Sequence, residues 1–128
     1  MSTRAQVKII DSYKQELWFY RHSDGYPEGT MPSLEKFLGW VKAGQIRDNV
    51  GQAAGWLVLI GAEEYGTVYD YAAKETRAKK TLTAPTDNEV GMGWKCGAYE
   101  PCVCELRGYV EYFYTVDLAK KTIEVKKI

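Results

Sequence analysis

The chain has 128 residues, with 17 basic and 17 acidic side chains and therefore a formal net charge of zero. Its length corresponds to one domain, and 45% apolar with 27% charged residues exclude a disordered or low-complexity chain. Because the net charge is zero, no overall positive field exists to attract nucleic acid or an anionic membrane. We therefore expect a single domain, residues 1–128, and we do not expect nucleic acid as a partner.

The amino terminus and the longest apolar run argue against a secreted or membrane protein. Residues 1–10 contain Arg4 and Lys8 but no apolar segment of the kind that a signal peptide needs. The longest apolar run, Trp56–Ile60, is too short to cross a bilayer. We predict a cytoplasmic protein that makes no membrane contact.

Two strands and a turn are predicted near the amino terminus. Apolar residues alternate with polar ones over 5–11, and the aromatic run 16–22 favours a second strand paired with the first as a hairpin. Residues 23–29 follow as a structured turn, because Asp24 and Gly25 form a pair that tolerates positive φ.

Two helices follow this turn. The first is predicted over 33–43, since Pro32 suits a first helical turn and apolar residues then recur at i, i+3, i+4 and i+7. The second begins near Asp48 or Asn49, either of which can cap it, and its apolar stripe predicts a largely buried helix. Its three glycines leave a short buried strand at 56–60 as the alternative, and we favour the helix.

The middle of the chain contains one strand pattern and one basic stretch. Alternation predicts a strand over 66–71. Residues 74–80 carry four basic side chains and predict a mobile, solvated connection. The alternative is a contact of this stretch with a nucleic-acid strand or a nucleotide, which the neutral total charge disfavours.

The carboxy-terminal third shows the clearest alternation. Even-numbered positions are apolar in 90–96 and again along 102–116, which predicts two strands of a hairpin with one buried face and a bend at Gly108. A final strand places Ile123 and Val125 inward. We predict an α+β fold, with a curved and predominantly antiparallel sheet of five or six strands and two helices packed on one face, in the order ββαα and then strands.

Three cysteines and one histidine raise the question of a metal. Cys96, Cys102 and Cys104 with His22 resemble a zinc set only weakly, because no Cys-x-x-Cys pair is present. The alternation predicts that all three thiols are buried as small apolar side chains. A zinc-stabilised module, a disulfide between Cys96 and Cys102, or a reactive thiol are the alternatives, and we predict no metal and no cofactor.

The strand end and turn over 20–29 gather the residues of the candidate binding site. Histidine can act as acid or base with a neighbouring carboxylate, and arginine can grip a phosphate or carboxylate. Ordinary turn chemistry explains most of these residues as well, so no catalytic residue is predicted. The candidate binding residues are Arg21, His22, Asp24, Tyr26 and Glu28.

Aromatic residues on both faces of the predicted long strand suggest a second covered face. Tyr109 and Phe113 lie opposite the core positions. Either the connection after Tyr71 or another subunit must cover them, and we predict a homodimer through the sheet or its edge.

One segment of ten residues resembles a known pattern. The sequence Tyr20-Arg21-His22-Ser23-Asp24-Gly25-Tyr26-Pro27-Glu28-Gly29 is similar to a signature, Tyr-Arg-His-x-Asp-Gly-Tyr-Pro, of small proteins from phages and prophage regions. The resemblance implies a phage or mobile-element protein that counters a host defence or sequesters a partner. We expect a non-catalytic binding protein for a protein or nucleotide ligand. The alternatives are a small hydrolase or transferase using His22 with Asp24 or Glu28, and the zinc-stabilised module.

Overall fold

The computed structural model describes residues 3–64, 67–70, 75–78, 98–106 and 108–128. Within these residues no helix is both long enough and apolar enough to span a bilayer. The elements in chain order are β1 (Ala5–Ile10), β2 (Glu16–Arg21), α1 (Pro27–Lys42), α2 (Val50–Glu64), β3 (Thr67–Asp70), β4 (Glu75–Ala78), β5 (Glu100–Cys102), β6 (Tyr112–Asp117) and β7 (Thr122–Lys127).

Five strands form the main sheet in the order β5-β2-β1-β6-β7, and β3 pairs with β4 in a separate two-stranded sheet. In the main sheet β1 and β6 are parallel, and the other three neighbouring pairs are antiparallel. The parallel pair is possible because both helices lie between β1 and β6 in the chain and supply a long crossover. The predicted α+β fold, with a predominantly antiparallel sheet and the order ββαα then strands, is confirmed.

The core lies between one face of this sheet and the two helices. Val7 pairs with Phe19 on β2 and with Tyr114 on β6, so one face of three neighbouring strands carries buried side chains. Burial of a side chain such as Phe37 or Leu57 stabilises the fold by about 1.5–3 kcal/mol. The buried set includes Ala5, Val7, Ile9, Phe19, Leu34, Phe37, Val41, Ala53, Leu57, Ile60, Tyr114 and Val116.

The first helix begins six residues earlier than the sequence pattern predicts. Pro27 occupies its first turn, where the missing N–H costs nothing, and Pro32 lies inside the helix. The carbonyl of Tyr26 accepts hydrogen bonds from the N–H groups of Gly29 and Thr30, both at 3.0 Å, which starts the helix. The prediction of a start at residue 33 was wrong because two prolines satisfy the same rule.

The second helix confirms the helical alternative for residues 56–60. Asn49 caps it, since its side-chain oxygen accepts a hydrogen bond from the N–H of Gln52 at 3.0 Å. The helix is less buried than predicted, because Trp56 and Leu59 are 41% and 40% exposed. Its buried stripe is narrow because only one side of the helix faces the sheet.

The predicted long strand over 102–116 with a bend at Gly108 was wrong, and part of the predicted connection at 74–80 forms a strand. Strand β5 ends at Cys102, and β6 begins at Tyr112. The buried Gln6 side chain instead hydrogen-bonds the backbone of the intervening segment and replaces ladder partners there. The basic stretch 74–80 contains β4, which pairs with β3. The predicted strand over 90–96 lies outside the described residues.

The outer face of the sheet is partly covered by the chain itself. Gln6 and Phe113 lie opposite each other on this face and are buried, and so is Val110 in the segment that follows β5. Tyr109 is 70% exposed. The homodimer was predicted because the outer face of the sheet needs to be covered. The segment that follows β5 covers part of this face.

Burial along the last strand and at the cysteines also differs from the prediction. Val125 on β7 is 41% exposed, whereas Ile123 on the same strand is partly buried against the core, as predicted. Cys102 is half-buried and Cys104 is exposed, so the predicted burial of these thiols was wrong. The break in the strand after residue 102 removes the alternation on which that prediction depended.

Candidate functional site

Arg21 lies at the end of β2 with its side chain on the core face and only 1% exposed. Its Nε donates a hydrogen bond to the carbonyl of Ser23 at 2.9 Å and a longer one to that of Asp24 at 3.3 Å. Its Nη2 donates to the carbonyl of Gly29 at 3.2 Å. Arg21 therefore organises the turn from inside. Its guanidinium is buried and bonded within the chain, and its predicted role as a binding residue stays a prediction.

Glu64, the last residue of α2, pairs with Arg21 through both carboxylate oxygens. The Nη1–Oε1 and Nη2–Oε2 distances are 3.1 and 2.5 Å. Such a bidentate ion pair fixes the orientation of the guanidinium as well as neutralising its charge. The guanidinium also lies over the ring of Tyr99, at 5.2 Å from its centroid. The turn is thereby joined to the carboxyl end of α2.

The hydroxyl of Tyr99 completes the buried side of the site. It hydrogen-bonds Ser33 Oγ on α1 and donates a longer bond, 3.5 Å, to the carbonyl of Thr30. Burial raises the pKa of Tyr99 to about 12, although the positive charge of Arg21 opposes this shift. Tyr99 is therefore a neutral hydrogen-bonding group at physiological pH. We name as the buried network the residues Arg21, Thr30, Ser33, Glu64 and Tyr99.

The turn itself is held against β1 and β6. The N–H of Gly25 donates to the carbonyl of Thr3 at 2.9 Å, and the hydroxyl of Tyr114 donates to the carbonyl of Gly25 at 2.6 Å. A Cβ at Gly25 would lie 2.7 Å from the Cβ of Ala5, so only glycine fits this close approach. Asp24 adopts a left-handed conformation with φ 56°. The prediction of a structured turn is confirmed.

The outward side of the turn carries the other predicted site residues. His22, Tyr26 and Glu28 are exposed, and Asp24 is half-buried. We name these four residues the turn surface. The hydroxyl of Tyr26 donates to Asp24 Oδ1 at 3.2 Å, and the negative charge of Asp24 is the largest cause of the raised pKa of Tyr26. Glu28 lies in the first turn of α1.

His22 is oriented by a phenol and not by a carboxylate. Its Nδ1 lies 2.8 Å from the hydroxyl oxygen of Tyr20, whereas Asp24 receives its bond from Tyr26. Burial is the largest cause of the raised pKa of Tyr20, so this phenol stays protonated near neutral pH. The described residues therefore show a histidine–tyrosine pair in place of the predicted pair of His22 with Asp24.

A groove between the two helices adjoins the buried network at Ser33 and Glu64. Its volume is about 270 Å³, which is near the lower limit of about 300 Å³ for small-molecule pockets. Lys36 and Glu63 form an exposed ion pair across it at 3.2 Å. The groove is lined by Pro32, Ser33, Lys36, Ile60, Glu63 and Glu64.

Glu64 and Tyr99, the two side chains that immobilise Arg21, carry no local signal of this contact in the sequence and were not predicted. Glu64 is 43 positions from Arg21 in the chain, and no local pattern links them. The only signal was a pair of glutamates at the end of an otherwise apolar helix. Buried arginines require a carboxylate partner, so a search for such a partner would have included Glu64.

The described residues contain no group of three side chains that could hold a metal ion. Cys96 lies outside them. Comparison of the chain with protein-family models, curated proteins and solved structures gave no match. The resemblance of residues 20–29 to a phage signature therefore stays a prediction, and the function is argued from the geometry of the site.

Proposed function

We propose that this chain is a non-catalytic binding protein whose turn surface contacts a partner protein. The observation that carries the proposal is the complete burial of Arg21 in the buried network. A turn held from inside by charged hydrogen bonds presents its outer side chains in one fixed arrangement. Such preorganisation lowers the entropy that a binding surface loses when a partner docks.

The charge of the turn surface favours a protein over a nucleotide. Arg21 is the arginine of the predicted site, and its guanidinium is already bonded to Glu64 and to backbone carbonyls instead of being directed at a phosphate. The half-buried carboxylate of Asp24 and the exposed carboxylate of Glu28 repel an anionic ligand. A partner that presents lysine or arginine side chains would instead be electrostatically complementary.

Tyr26 supplies an anchor on this surface. Its side chain is 38% exposed, and its hydroxyl is directed by Asp24. Tyrosine combines a large apolar ring with a polar tip and is enriched among the residues that dominate binding energy. The resemblance at residues 20–29 supports a mobile-element setting, in which the partner would be a host protein that acts in defence.

Partner capture with matched variants tests this proposal. Immobilised wild-type chain and Glu28→Lys chain are each exposed to a bacterial lysate, and the retained protein is identified and purified. Its affinity is then measured by calorimetry for the wild type, Glu28→Lys and Tyr26→Ala. Glu124→Lys is the control, because Glu124 is also exposed and lies on β7.

We expect both turn variants to weaken binding by about ten-fold or more, because Tyr26→Ala removes an anchor and Glu28→Lys reverses a complementary charge. The control is expected to bind as the wild type does. A partner that binds all four chains with equal affinity would show that the turn surface is not the contact.

The alternative function is a small hydrolase or transferase that uses His22. It has less support, because the ring nitrogen that a carboxylate would orient lies against Tyr20. A hydrolytic activity of the pure chain that is lost in His22→Ala and retained in Tyr26→Ala would favour this alternative over the binding role.

A further inference from the structure

We propose that Cys102 and Cys104 form a reversible dithiol site that hydroperoxides oxidise. In this site Cys104 is the residue that reacts with the peroxide, and Cys102 is the residue that resolves the product to a disulfide. The site lies on the segment that follows the edge strand β5 and is independent of the turn surface.

The chain brings the two cysteines together by a bend. Cys102 ends β5, and residues 103 and 104 form a bend in which the chain turns back. The thiol of Cys102 lies 3.7 Å from the carbonyl oxygen of Cys104, so its sulfur is directed at the residue it must reach. Both thiols are free. A disulfide requires the two cysteines to lie close together, and the contact of the Cys102 sulfur with the Cys104 backbone meets that need.

One buried amide fixes the geometry of both cysteines. The side chain of Gln6 is fully buried in β1, and its Nε2 lies 3.2 Å from Cys102 Sγ and 2.8 Å from the Cys104 carbonyl oxygen. Its Oε1 accepts a hydrogen bond from the N–H of Leu106 at 2.7 Å. The loop that carries the thiols is therefore held in place by the centre of the sheet.

The difference in exposure assigns the two roles. Cys104 is exposed and meets the oxidant, whereas Cys102 is half-buried. Burial raises the pKa of the Cys102 thiol, although the Gln6 amide opposes this shift. Cys102 is therefore the poorer nucleophile toward peroxide in solution and stays reduced until a neighbouring sulfur is activated.

The reaction has two balanced steps. The Cys104 thiolate attacks one oxygen of hydrogen peroxide, the O–O bond breaks, and Cys104 sulfenic acid and hydroxide result, which takes up the thiol proton as water. The Cys102 sulfur then attacks the Cys104 sulfur, the S–O bond breaks, and a second water leaves. Two thiols are oxidised to one disulfide, and one peroxide is reduced to two waters.

This disulfide should be easy to reduce. It closes a ring across a single intervening residue, and strained or exposed disulfides have the more oxidising potentials. Its formation also removes the thiol hydrogen at Cys102 and draws Sγ away from the Gln6 amide. The disulfide would thus be a reversible switch of the conformation of residues 102–106 and not a permanent structural cross-link.

Peptide mapping under non-reducing conditions tests the proposal. The wild-type chain is treated with an equimolar amount of hydrogen peroxide, alkylated and digested with chymotrypsin. We expect the peptide that contains both cysteines to lose two hydrogen atoms in mass and to escape alkylation, while Cys96 is alkylated. Dithiothreitol should restore both thiols, and Cys96→Ser should behave as the wild type does.

Two further variants separate the roles. In Cys102→Ser, Cys104 sulfenic acid should accumulate and be trapped by dimedone, which should not occur in the wild type. In Cys104→Ser, oxidation of Cys102 should be slower by about ten-fold or more. A disulfide to Cys96, a wild-type reaction that stops at the sulfenic acid, or equal oxidation rates in the two variants would each overturn the proposal.

Discussion

Replacement of Glu64 by glutamine should destabilise the fold through the charge that it leaves on Arg21. The substitution keeps the size of the side chain but removes the negative charge from a guanidinium that is only 1% exposed. Breaking a buried pair by removal of one partner costs about 3–5 kcal/mol. The Glu64 side chain is 26% exposed, and backbone carbonyls still accept bonds from Arg21. We therefore expect the free energy of unfolding to fall by about 2–3 kcal/mol, which is at the low end of the cost for a fully buried pair.

Urea denaturation at neutral pH, followed by tryptophan fluorescence and circular dichroism, measures this loss. Arg21→Met should lose about 3–5 kcal/mol, because it leaves carbonyls of the turn without donors. The double variant Arg21→Met/Glu64→Gln should lose less stability than the sum of the two single losses, with a coupling energy of about 1.5 kcal/mol or more.

The matched control is Glu63→Gln, whose carboxylate is 65% exposed in its pair with Lys36. An exposed pair contributes little, so this variant should lose less than about 0.5 kcal/mol. If Glu64→Gln is as mild as Glu63→Gln, or if Arg21→Met and Glu64→Gln add without coupling, the buried network does not hold the turn.

Three further predictions concern single contacts. Gly61→Ala should destabilise the chain by about 1–3 kcal/mol, because its Cβ would lie 2.8 Å from the backbone nitrogen of Tyr99. In Gly55→Ala, in the same helix, the added Cβ meets nothing within 4 Å, so this variant should be stabilised by about 0.5–1 kcal/mol. Thermal unfolding measures both variants, and a change in stability of the same sign in both would contradict the close packing at Gly61. The folded pKa of Tyr99 is about 12 against 10.0 in an unfolded chain, so its contribution is complete below pH 10 and is lost as the pH rises towards 12. Between pH 10 and 12 the free energy of unfolding of the wild type should therefore fall by about 2–3 kcal/mol more than that of Tyr99→Phe. If the free energies of the two proteins fall in parallel above pH 10, the pKa of Tyr99 is not raised. Gln6→Leu should cost about 1–3 kcal/mol in urea denaturation and should speed hydrogen exchange at Leu106, whose N–H loses its acceptor; unchanged exchange there would count against the role of Gln6.

The local pattern of the sequence determined the type and order of most described elements. Alternation identified β1, β6 and β7, and an aromatic run identified β2. The apolar period together with Asn49 identified α2. These features depend on which face of an element is buried, and that information repeats every two or every three to four residues along the chain. The α+β class follows from the same patterns.

Only the tertiary structure decided the start of α1 and the end of β5. Both prolines of α1 fit a first helical turn, and the choice between them depends on the contacts of Gly29 with Arg21 and of Thr30 with Asp24. The alternation after residue 102 predicts a strand, but Gln6, 98 positions away from Cys104, provides hydrogen bonds that end it. Partners so distant in sequence leave no periodic signal.

The candidate site divides in the same way. The sequence identified the turn and its exposed residues His22, Tyr26 and Glu28, because turn chemistry is local. It could not determine that Arg21 points inward to Glu64 and so supports the surface from within. The direction of a long charged side chain at a strand end is decided by whether a carboxylate lies across the core, and only the folded chain brings that carboxylate there.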